Sequence, residues 1–124
     1  MKLDRIEEGI QRSIVELWRT VGRDDAIMLH VPNEFADSKN KRGIGTGLGC
    51  WWGCPDLIFI SQAWRARILF MEVKKPGGKL NPNQKIAADT IMDFGHSYAL
   101  VDDLDGAKYY LGINGFLKCN VVVA

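Results

Sequence analysis

The order of local patterns along the chain predicts an α/β domain, a mixed central β-sheet flanked by helices. Apolar residues recur at helical spacing near the start, and a second helix is announced by a complete start signal at Asn81-Pro82-Asn83-Gln84. Between and after these lie short apolar runs of strand length, bounded by Gly, Pro and Asn. The 124 residues suffice for one domain with its own core, so residues 1–124 are read as a single unit.

Leu3, Ile6, Ile10, Ile14, Leu17 and Val21 make an amphipathic stripe, which predicts a helix over residues 4–21 with Gly22 as its stop. Residues 26–31 form a short strand closed by Pro32-Asn33. Periodicity then disappears, and Gly43, Gly45, Gly47 and Gly49 mark a glycine-dense loop. It lacks the Gly-Lys-Ser/Thr ending of a phosphate-cradling loop, so a connector is the plain reading and a DNA-facing loop the other. Residues 56–60 and 67–74 are two strands joined by a turn around 61–64, and Pro76-Gly77-Gly78 breaks the second. Asn81 can cap the next helix, Pro82 fits its first position, and Gln84 can reach back three residues. That helix should run to Phe94 and stop at Gly95. A strand over 98–101 follows, then a short helix over 102–110, and a tail whose Val121-Val122-Val123 suggests an edge strand.

A formal net charge of +1 says little, but its distribution says more. Arg65, Arg67, Lys74, Lys75, Lys79 and Lys85 fall in a window whose only acid is Glu72, and Lys39, Lys41 and Arg42 form a second basic run. Such clusters can neutralise backbone phosphates, or simply be solvated faces. Cys50, Cys54 and Cys119 are odd in number, no apolar leader precedes them, and no apolar run reaches membrane-spanning length. These features point to free thiols, no membrane, and a reducing cytoplasmic setting. Cys50 and Cys54 lack the paired spacing of a zinc site, with His30 and His96 far off.

The chemistry is concentrated in two short stretches. Asp56 sits in Gly53-Cys54-Pro55-Asp56, and sixteen residues later the chain reads Glu72-Val73-Lys74. Alternate side chains of a strand share a face, so Glu72 and Lys74 point one way with Ile68 and Phe70, while Leu69, Met71 and Val73 point the other. A strand apolar on both faces is central in its sheet. If the two strands pair antiparallel, Asp56 at the start of one meets Glu72 near the end of the other. Two carboxylates in a small volume repel unless a cation sits between them. With a main-chain oxygen they suit magnesium, which prefers oxygen ligands. Lys74 beside them can orient or deprotonate a water, or stabilise charge on phosphate oxygens. The plainer alternative is an exposed Glu–Lys pair and an Asp in a turn. On the first helix, at about 100° per residue, Glu7 flanks the apolar stripe whereas Glu8 faces solvent. Glu7 can therefore reach a site on the sheet, with Gln11 one turn further on. Gln84 reads equally as a capping-box residue and as a site residue. His96 reads as a helix-end residue, and Trp51 and Trp52 as packing beside the Pro-Asp turn.

The ordered set resembles the PD-(D/E)XK nuclease superfamily, and most closely its virus-type replication-repair branch, the VRR-NUC domain. The elements that carry the resemblance are Glu7 with Ile10-Gln11, then Gly47 and Gly49, Gly53 to Asp56, Glu72 to Lys74, Gln84, and Gly95 to Val101. The resemblance implies a restriction-endonuclease-like core, with Asp56, Glu72, the carbonyl of Val73 and Glu7 around Mg2+ or Mn2+. It implies that Lys74 assists the attacking water and that Gln84 orders the site or contacts DNA. It further implies a metal-dependent DNA endonuclease leaving a 3′-hydroxyl and a 5′-phosphate, related to dimeric Holliday-junction resolvases. Four-way-junction DNA as substrate, a homodimer, and phage or prophage replication, repair or packaging are the corresponding expectations. Lys39, Lys41, Arg42, Lys75, Lys79 and Gln11 are the candidates to contact DNA. The competing class is a non-catalytic nucleic-acid-binding or assembly subunit that retains the fold; a third is another metal-dependent hydrolase.

Overall fold

In chain order the elements are α1 (Arg5–Val21), β1 (Ala26–His30), β2 (Leu57–Ser61), β3 (Ile68–Val73), α2 (Pro82–Asp93), β4 (Ser97–Val101) and α3 (Leu104–Ile113). The computed structural model describes residues 5–32, 47–49, 51–62 and 67–118. The four strands form one sheet in the order β1-β2-β3-β4. β1 with β2 and β2 with β3 are antiparallel, and β3 with β4 is parallel, so the sheet is mixed as expected. The parallel pair requires a crossover, and α2 supplies it.

Each sheet face has its own lining. Leu57, Phe59, Leu69, Met71, Val73, Ala99 and Val101 point to one face and pack with Ile14 of α1, Ala107 and Leu111 of α3, and Phe116. The ring of Phe59 lies 5.2 Å from Trp18 and 6.1 Å from Phe116, which makes it the centre of this core. Phe59→Ala should therefore destabilise the chain by about 3–5 kcal/mol, the usual cost of emptying a fully buried aromatic position; urea unfolding measures it. Ile58, Ile60, Ile68, Phe70 and Glu72 alternate onto the opposite face. Tyr98 pairs with Phe70 in the parallel register and shares that face.

The termini of the elements follow from local chemistry. Asn81 Oδ1 accepts from the Gln84 N–H at 2.9 Å while Gln84 Oε1 accepts from the Asn81 N–H at 2.9 Å, a complete capping box with Pro82 in the first turn. The helix closes at Phe94, and Gly95 follows with φ +84°. Asp103 caps α3, accepting from the Gly106 N–H at 2.7 Å.

Two expectations change. The stripe on α1 does not stay buried to its start: Ile14 is fully buried, whereas Ile6 is 57% exposed, because the first turn lies beyond the apolar core. α3 runs to Ile113 rather than Tyr110, since Gly112 is accommodated within its last turn and Asn114 closes it. Beyond it Leu117 bridges to Gly22, and the Lys118 N–H donates to the Val21 carbonyl at 2.9 Å. Leu3, Gly43, Gly45 and the Val121–Val123 segment lie outside the described residues, and within the glycine-dense stretch Gly49 adopts φ +91°.

Candidate active site

Strand register brings the first two candidates together. Leu57 pairs with Met71, and one step further along both strands sets Asp56 across from Glu72. Asp56 is tied down from two sides. Its Oδ2 accepts from the Val73 N–H at 2.9 Å, and its carbonyl accepts from the Val31 N–H at 2.8 Å. His30 Nδ1 lies 3.1 Å from the same carbonyl and 3.1 Å from Gln11 Nε2; protonated it donates to the carbonyl, and unprotonated it accepts from Gln11 instead. In a strand a residue's N–H and C=O point to the same neighbour, so the Val73 carbonyl also faces the Asp56 side.

The turn before Asp56 is built to meet α2. Pro55 is fully buried, and Gly53 holds φ +89°. A Cβ at Gly53 would run into the Asn83 carbonyl and lie 2.8 Å from the Gln84 nitrogen. Backbone contact at this point sets the first turn of α2 over the sheet. Gln84 Nε2 then donates to Glu72 Oε2 at 3.4 Å. One amide thus serves both readings made of it, closing the helix start with its oxygen and reaching Glu72 with its nitrogen.

Glu72 is 3% exposed. Burial, and then the Asp56 carboxylate beside it, push its pKa up to about 10, against 4.5 for an ordinary glutamate. Lys74 works in the other direction, and Glu7 adds to the rise. Burial, and then the charges of Glu72 and Asp56, raise the Cys54 thiol above its usual range. Between about pH 4.5 and about 10 the folded chain holds a proton at Glu72 that the unfolded chain has lost. Stability of the cation-free protein should therefore be greatest below that window and fall as pH rises through it. Thermal unfolding in EDTA at mildly acidic and mildly alkaline pH measures the slope, which Glu72→Gln should flatten.

The remaining candidates fall at graded distances. Glu7 Oε2 accepts from the Lys75 N–H at 3.3 Å, so α1 touches the end of β3 at the site. Glu8 instead pairs with Arg12 at 2.8 Å on the helix surface. Among the described residues no three His, Cys, Asp or Glu side chains converge closely enough to hold a metal alone. Asp56 and Glu72 form a pair with Glu7 at its edge. Lys74 is half-buried and shares the Glu72 face, while Lys75 and Lys79 are exposed just beyond. His96 packs its ring 6.2 Å from Phe70. Trp51 is 45% exposed. Lys39, Lys41 and Arg42 lie outside the described residues.

The donor set fits a hard divalent cation. Two like charges pressed together need a proton or a cation, and two carboxylates plus a carbonyl leave room for the waters that magnesium keeps. Sequence reasoning missed His30, Tyr98 and the Gly53 contact with α2. Tyr98 had a usable signal, since the alternation of Ala99 and Val101 into the core already placed it on the Glu72 face. The others depend on tertiary approach alone.

The structure is a mixed sheet flanked by helices, with two acids facing each other where the start of β2 meets the end of β3 and a lysine just past that end. Residues 47–102 match the family model described as VRR-NUC domain. A solved structure described as a VRR_NUC domain protein superposes with a TM-score of 0.70 at 19% identity, covering 92% of this chain and 90% of its own. No curated protein matches the chain in sequence. Residues 47–102 are thus similar to the VRR-NUC domain, a nuclease-type family, and the solved structure shares the fold. The matched segment includes Asp56, Glu72, Lys74, Gln84 and Tyr98 and leaves Glu7 and Gln11 outside it. Among the described residues no helix is long and apolar enough to cross a membrane.

Proposed function

We propose that the protein is a metal-dependent DNA endonuclease that hydrolyses phosphodiester bonds at the Asp56–Glu72 pair. The observation that carries this reading is the buried Glu72, set across from Asp56 by the β2–β3 register and held by Gln84. Such a pair is costly to hold as two bare charges, and a divalent cation between them removes that cost. Mg2+ or Mn2+, held by Asp56, Glu72 and the Val73 carbonyl, supplies Lewis acidity at the scissile phosphate and a more acidic water.

The chain's own groups do the rest. Val73 N–H and Gln84 Nε2 hold the two carboxylates in place. Lys74, on the Glu72 face, orients the attacking water, takes its proton, or balances charge on the phosphate oxygens. Glu7 stands at the edge of the pair, where it can bind outer waters. Lys75 and Lys79, with Lys39, Lys41, Arg42 and Gln11, are the groups we assign to the DNA backbone. Cleavage leaves a 3′-hydroxyl and a 5′-phosphate. A homodimer would present two such sites about a two-fold axis, which suits a four-way junction in phage or prophage replication, repair or packaging.

Supercoiled plasmid, single-stranded DNA and a four-way junction, each incubated with Mg2+, Mn2+ or EDTA, test the reading. Cutting that depends on metal supports it, and preference for the junction supports the structure-selective form. If every substrate survives with both metals while DNA is still bound, the non-catalytic binding class takes its place. Light scattering decides the dimer.

A further inference from the structure

Tyr98 has a buried hydroxyl with no hydrogen-bond partner among the described residues. Buried hydroxyls are nearly always bonded, and leaving one unpaired costs on the order of 1–3 kcal/mol, so an orphan donor asks for an acceptor. Its position says where that acceptor is. Tyr98 pairs with Phe70 and Leu100 pairs with Glu72, so Tyr98 is the diagonal neighbour of Glu72 on one sheet face. Diagonal neighbours lie about 7–8 Å apart and are within reach of an aromatic side chain. The field at the hydroxyl agrees: after burial itself, the charges of Glu72 and then Asp56 make the phenol harder to ionise. The Cys54 thiol feels the same two carboxylates, but a thiol is a weak acceptor.

We propose that Tyr98 is a positioning residue, whose hydroxyl donates to the Glu72 carboxylate when a divalent cation occupies the site. The inference rests on the metal-dependent reading above and adds a residue to it. Among the described residues Glu72 Oε2 accepts from Gln84 Nε2 and faces Asp56, and the Tyr98 donor is left over. A carboxylate offers about four acceptor positions, enough for a cation, Gln84 and Tyr98 together. Outer partners of this kind orient a ligand and tune its affinity.

The test is calorimetric titration of the full chain with Mn2+ alone, no DNA, in wild type and Tyr98→Phe, with thermal unfolding in EDTA alongside. Tyr98→Phe should bind Mn2+ about tenfold more weakly, the low end for an outer partner. Its melting temperature in EDTA should match or exceed wild type, because no bond is lost there. A lowered melting temperature in EDTA with unchanged Mn2+ affinity would mean a packing role and overturns the inference. Equal Mn2+ affinity with equal melting temperature overturns it too, and leaves the metal-dependent reading standing. Absence of Mn2+ binding by wild type overturns the metal-dependent reading and the inference with it.

Discussion

Asp56→Asn should lower metal-dependent DNA cleavage by about a thousandfold, since the charge it removes supports metal action worth several kcal/mol. The substitution is chosen to spare the fold. The asparagine amide keeps an oxygen for the Val73 N–H, which Asp56 Oδ2 now accepts at 2.9 Å. It also removes the charge beside Glu72, so Glu72 should give up its proton more readily and the cation-free variant should lose less stability as pH rises. Cleavage rates on plasmid or junction DNA, read beside melting curves in EDTA, check both halves. A variant that cuts as fast as wild type would remove Asp56 from the chemistry.

The second large effect belongs to a residue with no functional group. Gly53→Ala places a methyl against the backbone of Asn83 and 2.8 Å from the Gln84 nitrogen, at a φ of +89° that side chains rarely adopt. Strain at such a φ and overpacking each cost on the order of 1–3 kcal/mol, so a loss of about 3 kcal/mol is expected. Relief requires the start of α2 to back away, and Gln84 moves with it. Activity should therefore fall further than stability alone explains. Urea unfolding gives the first quantity, and cleavage measured well below the melting temperature gives the second.

These two positions mark what could and could not be read from the chain. Alternation in Ile68–Val73 set Glu72 against Leu69, Met71 and Val73, and apolar flanks made the strand central. The pairing with Asp56 followed once antiparallel strands were assumed. The start of α2 was legible because a capping box is local chemistry, confined to Asn81, Pro82 and Gln84. Gly53 was legible only as a turn. What it touches lies thirty residues away on α2, and no local pattern encodes that approach. His30 was illegible for the same reason, although its Nδ1 lies within hydrogen-bond distance of both Gln11 and the Asp56 carbonyl. Ile6 failed in the other direction. It keeps the helical period of the stripe, but period describes one helix and not where its neighbours end.

The hairpin of β2 and β3 has a kinetic consequence. Asp56 and Glu72 meet across a short stretch of chain, whereas the Glu7 contact at Lys75 spans sixty-eight residues. Loop closure favours the nearer pair, so a folding chain should bring the two carboxylates together before α1 docks. Wherever both are ionised, the hairpin must close against their repulsion. A proton or a divalent cation present during folding lowers that obstacle, so the cation proposed for catalysis should also speed assembly.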